Sequence, residues 1–363
     1  MTSSRLRILA FVVAFAIGSA GSLDVSPSAF AASTGGHDFD FLLGTFQTHI
    51  SYLQASKGSS KWVALTGIVT NRKIWDGAGD LEEIEANGPS GPLEGMTLRI
   101  YNAQTREWSL YWADSSDGML QVPSIGRFSG NIGTFYDQEL VNGRTAFVRQ
   151  RYFNTGPNSY RFEQAVSIDG GKTWRPNFVA SLIRTATPPS YAGAGSSPMQ
   201  HSFDWQFGTW RIRMSRLLHP LSGAPARDEL NGSVVVNKIW NGRANVAKID
   251  AQGRSGSLHI LALRLYSPQS AQWSLSFTTE GAGTLSVPMY GTFKGGVGEF
   301  YDQEFYHGKA ILDRFRFISL SASSARDEEA FSQDGGRTWE TNWIDLHTRV
   351  SGTASLSRGV RER

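Results

Sequence analysis

The stretch Phe135-Tyr136-Asp137-Gln138-Glu139 occurs a second time as Phe300-Tyr301-Asp302-Gln303-Glu304, at an offset of 165 residues. The same offset brings Lys73-Ile74-Trp75 onto Lys238-Ile239-Trp240, Arg99 onto Arg264, Trp108 onto Trp273 and Arg149 onto Arg314. Arg161 and Glu163 likewise fall on Arg326 and Glu328. The chain of 363 residues is therefore a unit of about 150 residues written twice. Each copy is long enough to bury a core of its own.

Around the repeated stretch the pattern is strand after strand. In the first copy the expected strands are 63–75, 81–86, 96–101, 108–112, 119–128, 132–140, 144–153, 160–167 and 173–184. They are separated by turn chemistry such as Asp76-Gly77, Asn142-Gly143 and Asp169-Gly170-Gly171. Trp108, Leu110 and Trp112 alternate onto one face. The 39 glycines and 12% aromatic residues, with few long helix-forming runs, agree with an all-β chain. A meander of eight to ten short antiparallel strands must hide its edges, and closing on itself does so. The reading is two tandem up-and-down antiparallel β-barrels, with a two-sheet sandwich as the alternative.

The termini read differently. Arg5 and Arg7 precede the apolar run Ile8 to Ala20, and Ala29-Phe30-Ala31 supplies small residues for cleavage. Residues 1–31 are expected to be a Sec-type signal peptide of a bacterial periplasmic or secreted protein, with no stable membrane span once it is removed. The first barrel is assigned to 37–184, a Pro/Gly/Ser/Ala-rich linker to 185–200, the second barrel to 201–350, and a disordered tail to 351–363.

Composition narrows the function. The absence of cysteine excludes disulfides, thiolate catalysis and Cys-ligated metals. A net charge of +3 without a basic stripe gives no nucleic-acid footprint. The seven histidines show no metal-ligand spacing, so neither a metal site nor a cofactor is expected. His347 lies on the strand face of Arg349, with Leu182 at the matching place in the first copy. A satisfied or exposed histidine is expected there, an axial haem ligand being the competing reading. Asp137 and Glu139, repeated as Asp302 and Glu304, are paired at i, i+2. They suit acid–base work only if burial raises one of them, and a solvated strand face is the preferred reading.

Both copies must satisfy the same fold, so what they share is enriched in its requirements. Candidate ligand-binding residues are Trp75, Arg99, Trp112, Arg149 and Glu163 in the first copy, and Trp240, Arg264, Phe277, Arg314 and Glu328 in the second. The charged members either form paired networks or line a cup for a polar or anionic ligand, pairing being preferred.

The second copy opens with His201-Ser202-Phe203-Asp204-Trp205-Gln206-Phe207-Gly208-Thr209-Trp210 and closes with a lone Arg349. This pairing of Gly-x-Trp with a terminal Arg resembles the calycin signature of lipocalin-like barrels. The whole unit is similar to a bacterial lipocalin-like domain family of unassigned function. The resemblance implies that Gly208, Trp210 and Arg349 close the barrel floor, the Arg packing over the Trp. In the first copy Gly44, Phe46 and Arg184 fill these places, with packing kept and the indole hydrogen bond lost. It further implies a small hydrophobic or amphipathic molecule in one or both cups. An enzyme on an apolar substrate (isomerase, cyclase or hydratase) and a structural or interaction module are the competing functions, and the oligomeric state is left open. Ser167 to Trp174 and Ser332 to Trp339 resemble the Asp box of sialidases, a hairpin turn that carries no chemistry.

Overall fold

The computed structural model describes residues 35–350 except 57–58, 90, 142 and 188–197. The assigned signal peptide, most of the linker and the tail lie outside the described residues.

Ten strands close the first barrel: β1 (Gly44–Ser56), β2 (Ser59–Ile74), β3 (Gly79–Gly88), β4 (Gly91–Asn102), β5 (Glu107–Asp114), β6 (Ser124–Ser129), β7 (Ile132–Val141), β8 (Arg144–Gly156), β9 (Ser159–Ser167) and β10 (Arg175–Arg184). The second closes in the same order from β11 (Gly208–Leu217), β12 (Arg227–Ile239), β13 (Ala244–Gly253), β14 (Gly256–Ser267), β15 (Gln272–Thr279), β16 (Met289–Lys294), β17 (Val297–Tyr306), β18 (Lys309–Ser321), β19 (Ser324–Ser332) and β20 (Glu340–Arg349). Neighbours pair antiparallel throughout, and β1 meets β10 as β11 meets β20, so no edge is left open. The fold is all-β, two tandem up-and-down barrels.

One local expectation changes. The strand expected from 119 starts only at Ser124, and β5 meets β6 over just three residue pairs. The chain leaves the sheet between them and returns after Pro123, which has no N–H to give a ladder. At the entrance to β1, Asp40–Leu42 form a 3₁₀ turn with Phe39 at its N-cap and no side-chain cap. Asp40 instead binds outward, to His37 Nδ1 at 3.2 Å and Lys73 Nζ at 3.1 Å.

That entrance turn plugs one end of each barrel. The ring of Phe39 meets Trp108, Phe128, Phe135 and Tyr152, and Phe203 meets Trp273, Phe293, Phe300 and Phe317 in the same way. These contacts are edge-to-face except for the stacked Phe39–Phe135 and Phe203–Phe300 pairs, and they close the floor. Residues 198–200, assigned to the linker from sequence, belong to a 3₁₀ turn (Pro198–His201) of this plug: the Met199 carbonyl accepts from Trp273 Nε1 at 3.0 Å.

The two barrels share one further apolar cluster. Ile74, Trp75, Leu81, Leu98 and Ile100 from the first pack with Ile239, Trp240, Val246, Leu263 and Leu265 from the second. These come from the outward faces of corresponding strands and, for Trp75 and Trp240, from the 3₁₀ turns that follow β2 and β12. At its margin Arg243 pairs with Glu94 at 2.5 Å, and Tyr111 Oη accepts from Leu285 N at 3.0 Å.

Candidate functional site in the second barrel

Strand alternation decides which side chains enter a barrel. On β20 the inward series is Asp345, His347, Arg349, and on β19 it is Ala325, Asp327, Glu329. At the floor Arg349 lies over the Trp210 ring, 4.1 Å from its centroid. Its guanidinium donates to the carbonyls of Phe207 (2.8 Å), Ala322 (3.0 Å) and Trp205. Trp210 Nε1 donates to Gln206 O at 2.8 Å. In the first barrel Arg184 stands over Phe46 at 4.5 Å and donates to Leu43 O at 2.6 Å, with no indole to match. Gly44 has φ +104°, and a Cβ there would sit 2.7 Å from the Arg184 guanidinium, so the residue must be glycine. Gly208, with φ +109°, repeats the conformation.

Above this floor the second barrel encloses a cavity of about 30 Å³. Its walls are aromatic and apolar (Trp205, Trp210, Phe277, Phe315, Phe317), with Arg264, Asp327, Asp345 and His347 on one side. His347 Nε2 is 2.9 Å from Asp327 Oδ2, and Trp343 Nε1 donates to Asp345 Oδ1 at 2.8 Å. Burial opposes a charge on His347, but Asp327 outweighs it and the imidazole pKa is raised. Burial pushes Asp345 up to about 7 although His347 pulls the other way. Arg264 is wholly buried, donates to Gln206 Oε1 at 2.5 Å and Asn245 Oδ1 at 3.3 Å, and lies between the Phe203 and Phe317 rings. Desolvation lowers its pKa to about 10.

From this cluster a line of carboxylates climbs toward the mouth. In register terms Asp327 faces Asp345 across β19 and β20, Glu329 lies one inward position higher, and Asp302 pairs with Asp313 across β17 and β18. Glu304 stands above Asp302. Burial, then Glu304, pushes Glu329 up to about 8. Burial, then Glu304, pushes Asp302 up to about 7. Asp313 is raised by burial and then by Glu329. Few cations compensate, so the interior is acidic.

The structure distributes the sequence candidates over three places. Arg99, Trp112, Arg264 and Phe277 face the barrel interiors. Trp75 and Trp240 lie in the cluster between the barrels, away from either cup. Arg149, Glu163, Arg314 and Glu328 line the outer walls. There Arg149 stacks on Trp174 and Arg314 on Trp339, while Glu163 pairs with Arg161 and Glu328 with Arg326. Those two Trp belong to the Asp boxes, whose Asp169 and Asp334 accept backbone and hydroxyl hydrogen bonds that hold each near pKa 2. The box is a turn, as expected.

One reading is corrected by geometry. Asp137 and Glu139, like Asp302 and Glu304, occupy inward positions and are raised by burial, instead of lying on a solvated face. His347 is buried in the cup with Asp327 as its partner. Arg99 does not line a free anion site: it is wholly buried and bound to Asp80 Oδ1 (2.6 Å) and Glu82 Oε2 (2.5 Å).

Asp327, Asp345 and His347 were not singled out together from sequence, because a comparison of copies for shared residues passes over them. Their first-barrel counterparts are Phe162, Ala180 and Leu182. Three apolar-to-polar exchanges on adjacent strands were the available signal. The acid partner of the buried Arg changes sides too: Asp80 and Glu82 of β3 become Asn245 and Ala247, while β19 and β20 gain Asp327 and Asp345.

No family model matches this chain, and no curated protein matches it. Among solved structures it is similar to an S-type phycobiliprotein lyase from Guillardia theta, at 12% identity and TM-score 0.28, covering 43% of this chain and 98% of that one. It is also similar to a DUF3598-family protein of unknown function from Nostoc punctiforme, at 9% identity and TM-score 0.23, covering 87% and 99%. Likenesses this distant carry no argument about activity, and the fold rests on the strand pairing itself. No helix among the described residues is long and apolar enough to cross a membrane.

Proposed function

We propose that this is an exported, non-catalytic binding protein whose second barrel takes up a small amphipathic molecule. The observation that carries the reading is the cavity: one enclosed space bounded by five aromatic rings, with a buried Asp–Asp–His cluster on one wall. Such a mixture of apolar walls and a few convergent polar groups is what small-molecule sites share.

The acidic interior selects among ligands. Asp327 and Asp345 are the acidic residues that line the cavity, so the polar end is cationic or a hydrogen-bond donor. Size adds a condition. The space of about 30 Å³ suits a water or two, whereas small-molecule pockets run to ~300 Å³ and more. Uptake therefore needs the tilted Phe277–Phe315 pair, 5.5 Å between centroids, to part.

The test is titration of the full chain, in chelator, with the neutral dye Nile red, followed by displacement with alkylamines and with fatty acids of equal length. Saturable uptake of one dye per chain, displaced by the amines and weakened by Phe315→Ala, is expected. Absence of saturable uptake, or preferential displacement by the fatty acids, overturns the reading.

A further inference from the structure

We propose that Asp327, Asp345 and His347 form a mononuclear site for a divalent transition-metal ion. Each offers one ligand atom, the atoms lie within 4.8 Å of one another, and all three residues are buried. Two carboxylate oxygens and an imidazole nitrogen form a donor set suited to zinc, manganese or iron(II). Ligand atoms on a four-coordinate zinc with bonds of ~2.1 Å stand about 3.4 Å apart, so side-chain movements of about an ångström close the set.

Two observations beyond the cluster point to an ion. Asp327 is 5% exposed, yet its Oδ1 has no hydrogen-bond partner. An orphaned buried carboxylate oxygen is costly and calls for a ligand. The cavity touches all three residues, leaving room for the one or two waters that complete the coordination. Trp343 Nε1, donating to Asp345 Oδ1, supplies the kind of outer-shell bond that orients a metal carboxylate.

The charges facing the site favour a cation. Arg264 opposes one, but its guanidinium is held by Gln206, Asn245 and two rings. Glu329, Asp313, Asp302 and Glu304 lie on the mouth side, where burial favours their protonated forms, and they attract the ion only as those protons leave. Because metal ligands must be deprotonated, the ion takes the place of any protons these groups hold. The first barrel, with Phe162, Ala180 and Leu182 at these positions, is an internal control without ligands.

This site shares the cavity with the proposed function but does not rest on the amphipathic ligand, because the metal alone is the probe. Chelator-treated full chain is titrated calorimetrically with Zn²⁺ and with Mn²⁺, and Co²⁺ absorption reports the coordination. One ion per chain is expected, with affinity lowered on the order of 100-fold or more in His347→Leu and in Asp327→Asn. Near-ultraviolet circular dichroism checks each fold, and Asp345→Asn replaces any variant that fails it. Unchanged affinity in a folded variant, absence of saturable binding, or loss of the ion in His259→Ala at the surface Asp250–His259 pair, overturns the assignment.

Discussion

Glu329→Gln puts into the second barrel the residue that the first carries at this position, Gln164. Glu329 is buried and pushed up to about 8, against 4.5 for a free glutamate, and Asp345 is pushed up to about 7 from 3.8. Both groups hold protons in the folded chain that the unfolded chain has already released at neutral pH. The native state thus binds more protons, and stability falls as pH rises, at ~1.4 kcal/mol per pH unit for each proton. Two protons give about 3 kcal/mol per unit between roughly pH 5.5 and pH 7, which is large beside a domain stability of ~5–15 kcal/mol. The raised His347 pKa acts in the same direction, since its proton too is held more tightly when folded. Urea denaturation in chelator, followed by tryptophan fluorescence from about pH 5 to about pH 8.5, should show the midpoint falling with pH. Glu329→Gln should leave the midpoint nearly unchanged at the acid end. At the alkaline end it should stabilise by ~3–5 kcal/mol, the integrated share of this one group. A wild-type midpoint that is flat or rises with pH, or a variant curve parallel to wild type, refutes the reasoning.

Arg99→Met strands Asp80 and Glu82 inside the first barrel and should cost ~3–5 kcal/mol, whereas the triple change with Asp80→Asn and Glu82→Gln should recover most of it. A loss under about 1 kcal/mol for the single change would show that the pair is solvated. Trp240→Ala removes a side chain 1% exposed between the barrels. It should cost ~3–5 kcal/mol and split one unfolding transition into two in calorimetry, and a single unshifted transition would count against a coupled interface.

The barrels were legible because their signals are local: alternation, turn residues at fixed intervals, and a Gly-x-Trp that needs one glycine conformation and one arginine. Strand facing was less legible. Asp137 and Glu139 alternate equally well inward or outward, and only closure of the sheet decides which side is enclosed. Trp75 and Trp240 misled for a related reason. They open the 3₁₀ turns Trp75–Gly77 and Trp240–Gly242 that follow β2 and β12, and a Trp buried between the barrels reads from sequence like a Trp inside a cup. The Asp327–Asp345–His347 cluster was hidden for the opposite reason. A duplicated chain repeats what its fold requires, and this cluster occupies positions where the copies part company.

The cluster between the barrels bears on how such a chain arises. Its apolar contributors are corresponding residues: Ile74 and Ile239, Trp75 and Trp240, Leu98 and Leu263. The surface is self-complementary, the property that lets identical subunits pair about a two-fold axis. A lone copy would present that face to solvent and gain by dimerising, and joining two copies replaces that encounter with a tethered one at far higher effective concentration. Once tethered, the halves need no longer be identical. The polar contacts at the margin have already diverged, with Glu94 matched by His259 and Arg243 by Ala78. That freedom allowed one interior to be wired with Arg99, Asp80 and Glu82, while the other gathered carboxylates and a histidine.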